Sequence, residues 1–288
     1  GLGGVSLIVG APLLVAQWLM LAGSLVLVAI FAAIIRRHPA LYTFTMGGGS
    51  LVWALGNLLW CLGWPVFLVV FWWAAFLVVT IAGERLELAR LQQVTGAAQA
   101  TLLLLLGILL TGLLLLGWSF DGGVRLFGLG LAGLALWLGR HDIARRTVKQ
   151  AGLTRFIAIC LLTGYVWLGI SGLSAMWFGG VPVGPQYDAT LHAFFLGFVF
   201  AMIFAHAPII FPAVLGARMA YRPLFYAHVV LLQVTLVVRL IGDAAGWSAG
   251  RQVGGLLNAV TLLLFLVNTV SALQSPPERA GTAQGRGA

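Results

Sequence analysis

The chain has 288 residues, of which 61% are hydrophobic and only 8% are charged, and its mean hydropathy is +1.05. This composition excludes a soluble globular domain and indicates a protein that crosses a membrane several times. The formal net charge of +9 does not indicate nucleic-acid binding, because the basic residues lie in short loops between apolar segments, as they do in polytopic membrane proteins.

Nine apolar segments are each long enough to cross a bilayer as a helix. They lie at residues 11–35, 41–60, 65–83, 98–118, 124–139, 154–177, 190–215, 223–242 and 252–273. We therefore predict an all-α, polytopic transmembrane helix bundle over residues 1–274. Residues 275–288 are rich in Pro, Gly and Ala, which predicts a flexible cytoplasmic tail.

The basic residues predict the orientation of this bundle. Alternate loops lie on alternate sides, and this sorting leaves only Arg125, Arg239 and Arg251 on one side. The other thirteen are Arg36, Arg37, Arg85, Arg90, Arg140, Arg145, Arg146, Lys149, Arg155, Arg218, Arg222, Arg279 and Arg286. Because cytoplasmic loops are enriched in Lys and Arg, we expect the carboxyl end and loop 140–153 to be cytoplasmic and the amino end and loop 178–189 to be outside.

Several small or polar residues inside the spans predict contacts between helices. Gly47 to Ser50 in the second span, and Gly128 with Ala132 in the fifth, are typical of surfaces where helices pack closely. Glu84 and Arg85 end the third span, and the pattern favours a local ion pair at the interface.

Three of the five histidines lie inside predicted spans, where an imidazole is costly to bury without a partner. His192 and His206 share one segment, and their spacing of fourteen residues predicts a separation of about 21 Å with both rings within roughly 40° of one helix face. His228 lies near the start of the next, antiparallel span, at a depth similar to that of His206. Pro208 predicts a kink or opening of the helix beside His206.

Two facing imidazoles in a membrane suit haem iron, copper or zinc. We therefore predict that His206 and His228 hold a metal or haem iron, with the Met202 thioether available to copper. The alternative is that these histidines bond to each other, to backbone carbonyls or to Tyr226 and have a structural role.

The outer half of the bundle contains a second group of candidate residues. Arg239 lies near the outer end of its span and needs a counter-charge, for which Asp188 and Asp243 are candidates. We expect His192 and Arg239 to form one polar cluster with one of these carboxylates, and an arginine there suits a bound carboxylate such as a haem propionate.

The region from Leu191 to Asp243 resembles part of the NnrS family of bacterial membrane proteins. The resemblance is carried by LHAFFLGFVFAMI at 191–203, RPL at 222–224 and LVVRLIGD ending at Asp243. It implies a multi-pass protein of the bacterial inner membrane that binds haem, here haem b, and in some cases copper, and that has a role in redox chemistry or in the response to nitric oxide.

The residues and the resemblance together predict an integral membrane haem or haem-copper protein, with His192, His206, His228 and Arg239 at its cofactor sites. Two alternatives stay open: a non-catalytic structural subunit of a larger membrane respiratory assembly, and a small-molecule or metal transporter. The lipid bilayer is the expected partner in each case, and other membrane subunits are expected in the second. Enzymatic turnover is left open.

Overall fold

The computed structural model describes residues 2–89 and 95–274, which are almost entirely helical. Eight helical runs in this part of the chain are long and apolar enough to cross a membrane. They are α2 (Leu13–Arg37), α4 (Val66–Ala89), α5 (Gly96–Leu115), α6 (Phe120–His141), α8 (Gly152–Phe178), the run from Pro185 to Leu215, α11 (Phe225–Ala244) and α12 (Ser248–Ser271). The predicted all-α polytopic bundle is confirmed.

The one predicted span that is not among these eight is 41–60. It forms the 21-residue helix α3 (Leu41–Cys61), whose hydropathy is lower than that of the other eight. Two short helices lie outside the spans: α1 (Leu2–Ile8) precedes α2, and α7 (Ala144–Thr147) lies in the connection between α6 and α8. The strands β1 (Arg218–Met219) and β2 (Leu273–Gln274) pair in antiparallel register and were not predicted. The predicted tail 275–288, with Arg279 and Arg286, and Arg90 lie outside the described residues.

The order of the helices groups the basic residues as the sequence predicts. We call the end of the bundle with Arg37, Arg85, Arg140 and Arg222 the inner end, and the end with Arg125, Arg239 and Arg251 the outer end. The assignment of the inner end to the cytoplasm remains a prediction.

Glycines bring neighbouring helices into close contact at the predicted positions. A Cβ atom on Gly49 of α3 would lie 2.7 Å from Thr80 Oγ1 of α4, and one on Gly128 of α6 would lie 2.6 Å from the carbonyl oxygen of Gly172 in α8. Both distances are too short for a side chain, so these helices approach closely because glycine is present.

The run from Pro185 to Leu215 is not a uniform α-helix. It consists of α9 (Pro185–His192), a π-helical segment (Ala193–Val199) and α10 (Phe200–Leu215). The sequence predicts the irregularity at Pro208, but α10 continues through Pro208 and Pro212, and the irregularity lies before His206. Because a π-helix has i→i+5 hydrogen bonds, it rotates later residues away from their α-helical positions.

Candidate functional site

A network of charged and polar side chains joins four parts of the chain at the inner end. Arg85 of α4 donates through Nη2 to Glu84 Oε1 at 2.6 Å, and its Nη1 lies 3.5 Å from Asp142 Oδ2, just after α6. Tyr165 of α8 donates its hydroxyl to the same Asp142 oxygen at 2.7 Å. His206 of α10 completes the network, with Nε2 at 2.8 Å from Arg85 Nη2 and 3.1 Å from Glu84 Oε1.

The contacts of His206 define two protonation states. Its Nδ1 lies 2.6 Å from the carbonyl oxygen of Met202, which can only accept, so Nδ1 carries a proton. In the neutral imidazole Nε2 is then an acceptor and receives a hydrogen bond from Arg85. In the imidazolium Nε2 is a donor and bonds to Glu84 instead. Protonation of His206 at Nε2 therefore replaces the hydrogen bond from Arg85 by a hydrogen bond to Glu84.

The network has a buried end and an accessible end. The side chains of Arg85 and Asp142 are only 5% and 2% exposed, whereas those of Glu84 and His206 are 37% and 21% exposed. The charges of Arg85, Glu84 and Asp142 sum to −1 when His206 is neutral and are balanced when it is protonated. The accessible end is thus the end at which a proton can be exchanged.

Glu84 and His206 face a groove of about 290 Å³ between α4 and α10. The remainder of the lining is apolar and comes from Leu77, Ile81, Val199, Met202, Ile203, Ala207, Ile210 and Phe211. Ile203 and Ile210 are exposed on the outside of the bundle. The groove therefore opens on the side of the bundle, and its two polar side chains lie next to each other.

His228 of α11 has a different environment. Its ring packs against Phe204, Phe265, Phe156 and Phe225, with the Phe204 and Phe265 ring centroids at 4.7 and 5.3 Å. Nδ1 lies 3.3 Å from the side-chain nitrogen of Asn268, and Nε2 is buried without a hydrogen-bond partner. Because the amide nitrogen can only donate, Nδ1 accepts in this arrangement and the proton is on Nε2.

The two histidines predicted to share a metal each have their own partners. Both ring nitrogens of His206 already have partners in the inner network, and His228 lies among aromatic rings. Met202 contributes its carbonyl oxygen to His206, and its side chain packs at Gly164 of α8. Within the described residues no group of three or more His, Cys, Asp or Glu side chains is placed to hold a metal ion.

At the outer end, the structure brings the predicted cluster together. Arg239 of α11 donates through Nη2 to Asp188 Oδ2 at 2.7 Å and through Nη1 to the carbonyl oxygen of Arg251 at 3.1 Å. His192 Nδ1 lies 2.9 Å from the carbonyl oxygen of Asp188 and 3.3 Å from its Oδ1. Asp188 is therefore the counter-charge of Arg239, and Asp243 pairs instead with Arg251, whose Nε lies 2.6 Å from Asp243 Oδ1.

Sequence reasoning missed the partners of Arg85. It predicted the Glu84–Arg85 pair, which the structure contains, but it did not connect this pair to His206, Asp142 or Tyr165. The available signal was Asp142, an acidic residue in a strongly basic loop at the inner end. Its position indicates an arginine partner, although not which helix supplies it.

The fold and the two polar clusters define a multi-pass integral membrane protein with ionisable groups inside the bundle. Within that class, the chain belongs to a family described as a domain of unknown function, DUF8744, whose model matches residues 1–274. A comparison with curated proteins finds no significant match. A comparison with solved structures finds none either.

Proposed function

We propose that this membrane protein binds a lipid-soluble molecule of the quinone and quinol class in the groove between α4 and α10, with the ring oxygen of the ligand hydrogen-bonded to His206 and Glu84. The observation that carries the proposal is the position of these two side chains, which are the polar groups of an otherwise apolar groove that opens on the side of the bundle.

The size and lining of the groove suit the head group of such a molecule. Small-molecule sites in proteins have volumes of about 300–1,000 Å³ and are mostly apolar with a few polar groups that fix the ligand. The volume of about 290 Å³ is at the lower limit of that range. It suits one ring with its substituents, while an apolar tail would remain in the bilayer beyond Ile203 and Ile210.

The hydrogen-bonding groups suit both forms of the ligand. A quinol hydroxyl donates to the Glu84 carboxylate or, in place of Arg85, to Nε2 of neutral His206. A quinone carbonyl accepts from Nε2 of the protonated ring in place of Glu84. Arg85 lies within hydrogen-bond distance of both Glu84 and His206. It therefore keeps Glu84 as a partner when His206 is protonated and no longer accepts from it. The imidazole can therefore gain or lose a proton without leaving Arg85 unpaired.

Binding tests this proposal directly. Purified protein in nanodiscs is titrated with a short-chain ubiquinone analogue and with its reduced form, and the dissociation constants are measured. We expect His206→Asn and Glu84→Gln to weaken binding at least tenfold, because each removes a ligand-facing group. His38→Asn, at an exposed loop position, is the matched control and should bind as the wild type does. Absence of wild-type binding, or equal binding by His206→Asn and wild type, refutes the proposal.

A second candidate function, haem binding, is favoured by one observation. Nε2 of His228 is buried and has no hydrogen-bond partner, and Asn268 lies beside the other ring nitrogen. With the Asn268 amide reversed, its oxygen would accept from Nδ1–H and Nε2 would offer a lone pair, which is the arrangement typical of a histidine ligand. The reversal would give up the 3.5 Å contact of the amide nitrogen with the Leu224 carbonyl oxygen. We therefore propose His228, rather than the His206–His228 pair, as the haem ligand that the NnrS-like resemblance implies.

A haem at His228 would supply an iron for electron transfer or for binding nitric oxide. The test is the absorption spectrum of protein purified from haem-replete cells. We expect a Soret band that is lost in His228→Ala and kept in His206→Asn. A wild-type spectrum without a Soret band, or a band that His228→Ala retains, removes this candidate.

A further inference from the structure

A second groove lies between α6 and α8, has a volume of about 780 Å³ and shares one lining residue, Tyr165, with the inner network. Small residues form its floor, among them Ala135, Gly139 and Gly169. Leu136 and Val166 stand at its edges and are 77% and 62% exposed. The groove forms because Gly and Ala residues on the two helices lie between larger side chains.

The groove is about as long as one leaflet of a bilayer. On α8 its lining extends from Leu162 to Leu173, which at 1.5 Å per residue corresponds to about 17 Å. Half of the hydrocarbon core of a bilayer measures roughly 15 Å. An acyl chain of the leaflet at the inner end can therefore lie along the groove over its whole length.

Two arginines stand at the inner end of the groove. Arg140 lies near the carboxyl end of α6, and Arg145 donates through Nη1 to the Arg140 carbonyl oxygen at 3.1 Å, which holds its guanidinium beside the lining. Neither forms an ion pair with a carboxylate of the described residues, and both are exposed. The groove thus combines an apolar channel with two uncompensated positive charges at the level of the head groups.

We propose that this groove binds one anionic phospholipid, with an acyl chain along α6 and α8 and its phosphate on Arg140 and Arg145. Charge complementarity selects an anionic head group, because two guanidinium groups without acidic partners attract negative lipids at a membrane surface. An arginine fork can donate two hydrogen bonds to one phosphate. The site does not depend on the quinone site, and it can be present whether or not that proposal is correct.

The experiment measures lipid selectivity in the full chain. Delipidated protein in detergent receives phosphatidylglycerol, phosphatidylcholine or inorganic phosphate, and bound lipid is counted by native mass spectrometry while the melting temperature is recorded. We expect at least fivefold more phosphatidylglycerol than phosphatidylcholine to remain bound, a higher melting temperature with phosphatidylglycerol, and no effect of inorganic phosphate, because the acyl chain contributes to binding.

Two variants separate the head-group and chain contacts. Arg140→Gln combined with Arg145→Gln should abolish the preference for phosphatidylglycerol. Gly139→Leu should reduce retention of both lipids at least threefold, and because an added Cβ there meets no atom within 4 Å, the fold should tolerate it. The matched controls are Arg146→Gln, which is exposed in the same loop, and Gly107→Leu, where an added Cβ also meets nothing within 4 Å.

Several results would overturn the proposal. Equal retention of the two lipids by the wild type would do so, as would a preference that survives the double arginine change, or an equal effect of inorganic phosphate. Formation of a dimer that Gly139→Leu disrupts, without any lipid preference, would show that a second copy of the chain occupies the groove instead.

Discussion

Removing the carboxylate of Asp142 should destabilise the protein strongly. Asp142→Ala deletes the ion pair with Arg85, the acceptor of the Tyr165 hydroxyl at 2.7 Å and the acceptor of the Ala144 backbone N–H at 2.7 Å. Arg85 keeps Glu84 as its counter-charge, and the cost comes mainly from the Tyr165 hydroxyl and the Ala144 N–H, each left without an acceptor at about 1–3 kcal/mol. For a chain of this size we expect the melting temperature to fall by roughly 10 °C.

The buried thiol of Cys160 provides the assay. In a Cys61→Ser background, a thiol-reactive fluorophore reports unfolding, because Cys160 is fully buried in α8 and reacts once the bundle opens. Asp121→Ala is the control, since it removes an ion pair with Arg125 that is exposed at the outer end, and it should change the melting temperature little. If the two variants melted at the same temperature, the inner network would contribute no more to stability than an exposed ion pair.

Three further outcomes are expected. Gly128→Val should cost about 2 kcal/mol or more by forcing α6 away from α8, whereas Gly107→Val should fold normally, and the same thermal assay compares them. Arg239→Gln should lower the melting temperature by roughly 5 °C because it removes the ionic tie between α11 and α9; an unchanged melting temperature would contradict this. Single cysteines in loop 178–189 should react with an impermeant reagent in intact cells and those in loop 140–153 should not, and the reverse pattern would invert the predicted topology.

The spans were predictable because each helix that crosses a bilayer needs a long apolar segment. Such a segment can be identified from its own sequence, without knowledge of the neighbouring helices. The pairing at the outer end was also partly predictable. Arg239 needs a carboxylate inside the bundle, and Asp188 and Asp243 were the two candidates at that depth. The choice between them depends on how α9 packs against α11, which no local pattern contains.

The inner network could not be predicted for the same reason. Glu84 and His206 are separated by more than a hundred residues, and their contact depends on which helices become neighbours. The expectation that His192 and His206 share one face assumed a continuous α-helix between them. The π-helical segment Ala193–Val199 lies between the two histidines, so the α-helical spacing on which that expectation rests does not apply.

The inner network also bears on how the protein is made. A chain is synthesised from its amino end, so α4 enters the membrane with Arg85 accompanied only by the adjacent Glu84. Asp142 follows after two more helices, and His206 is made 121 residues after Arg85. Until then a charge inside the nascent bundle has only part of its final set of partners, which is a costly state in a membrane. Because His206 lies in α10, the set of hydrogen-bond partners of Arg85 is complete only after α10 has been inserted.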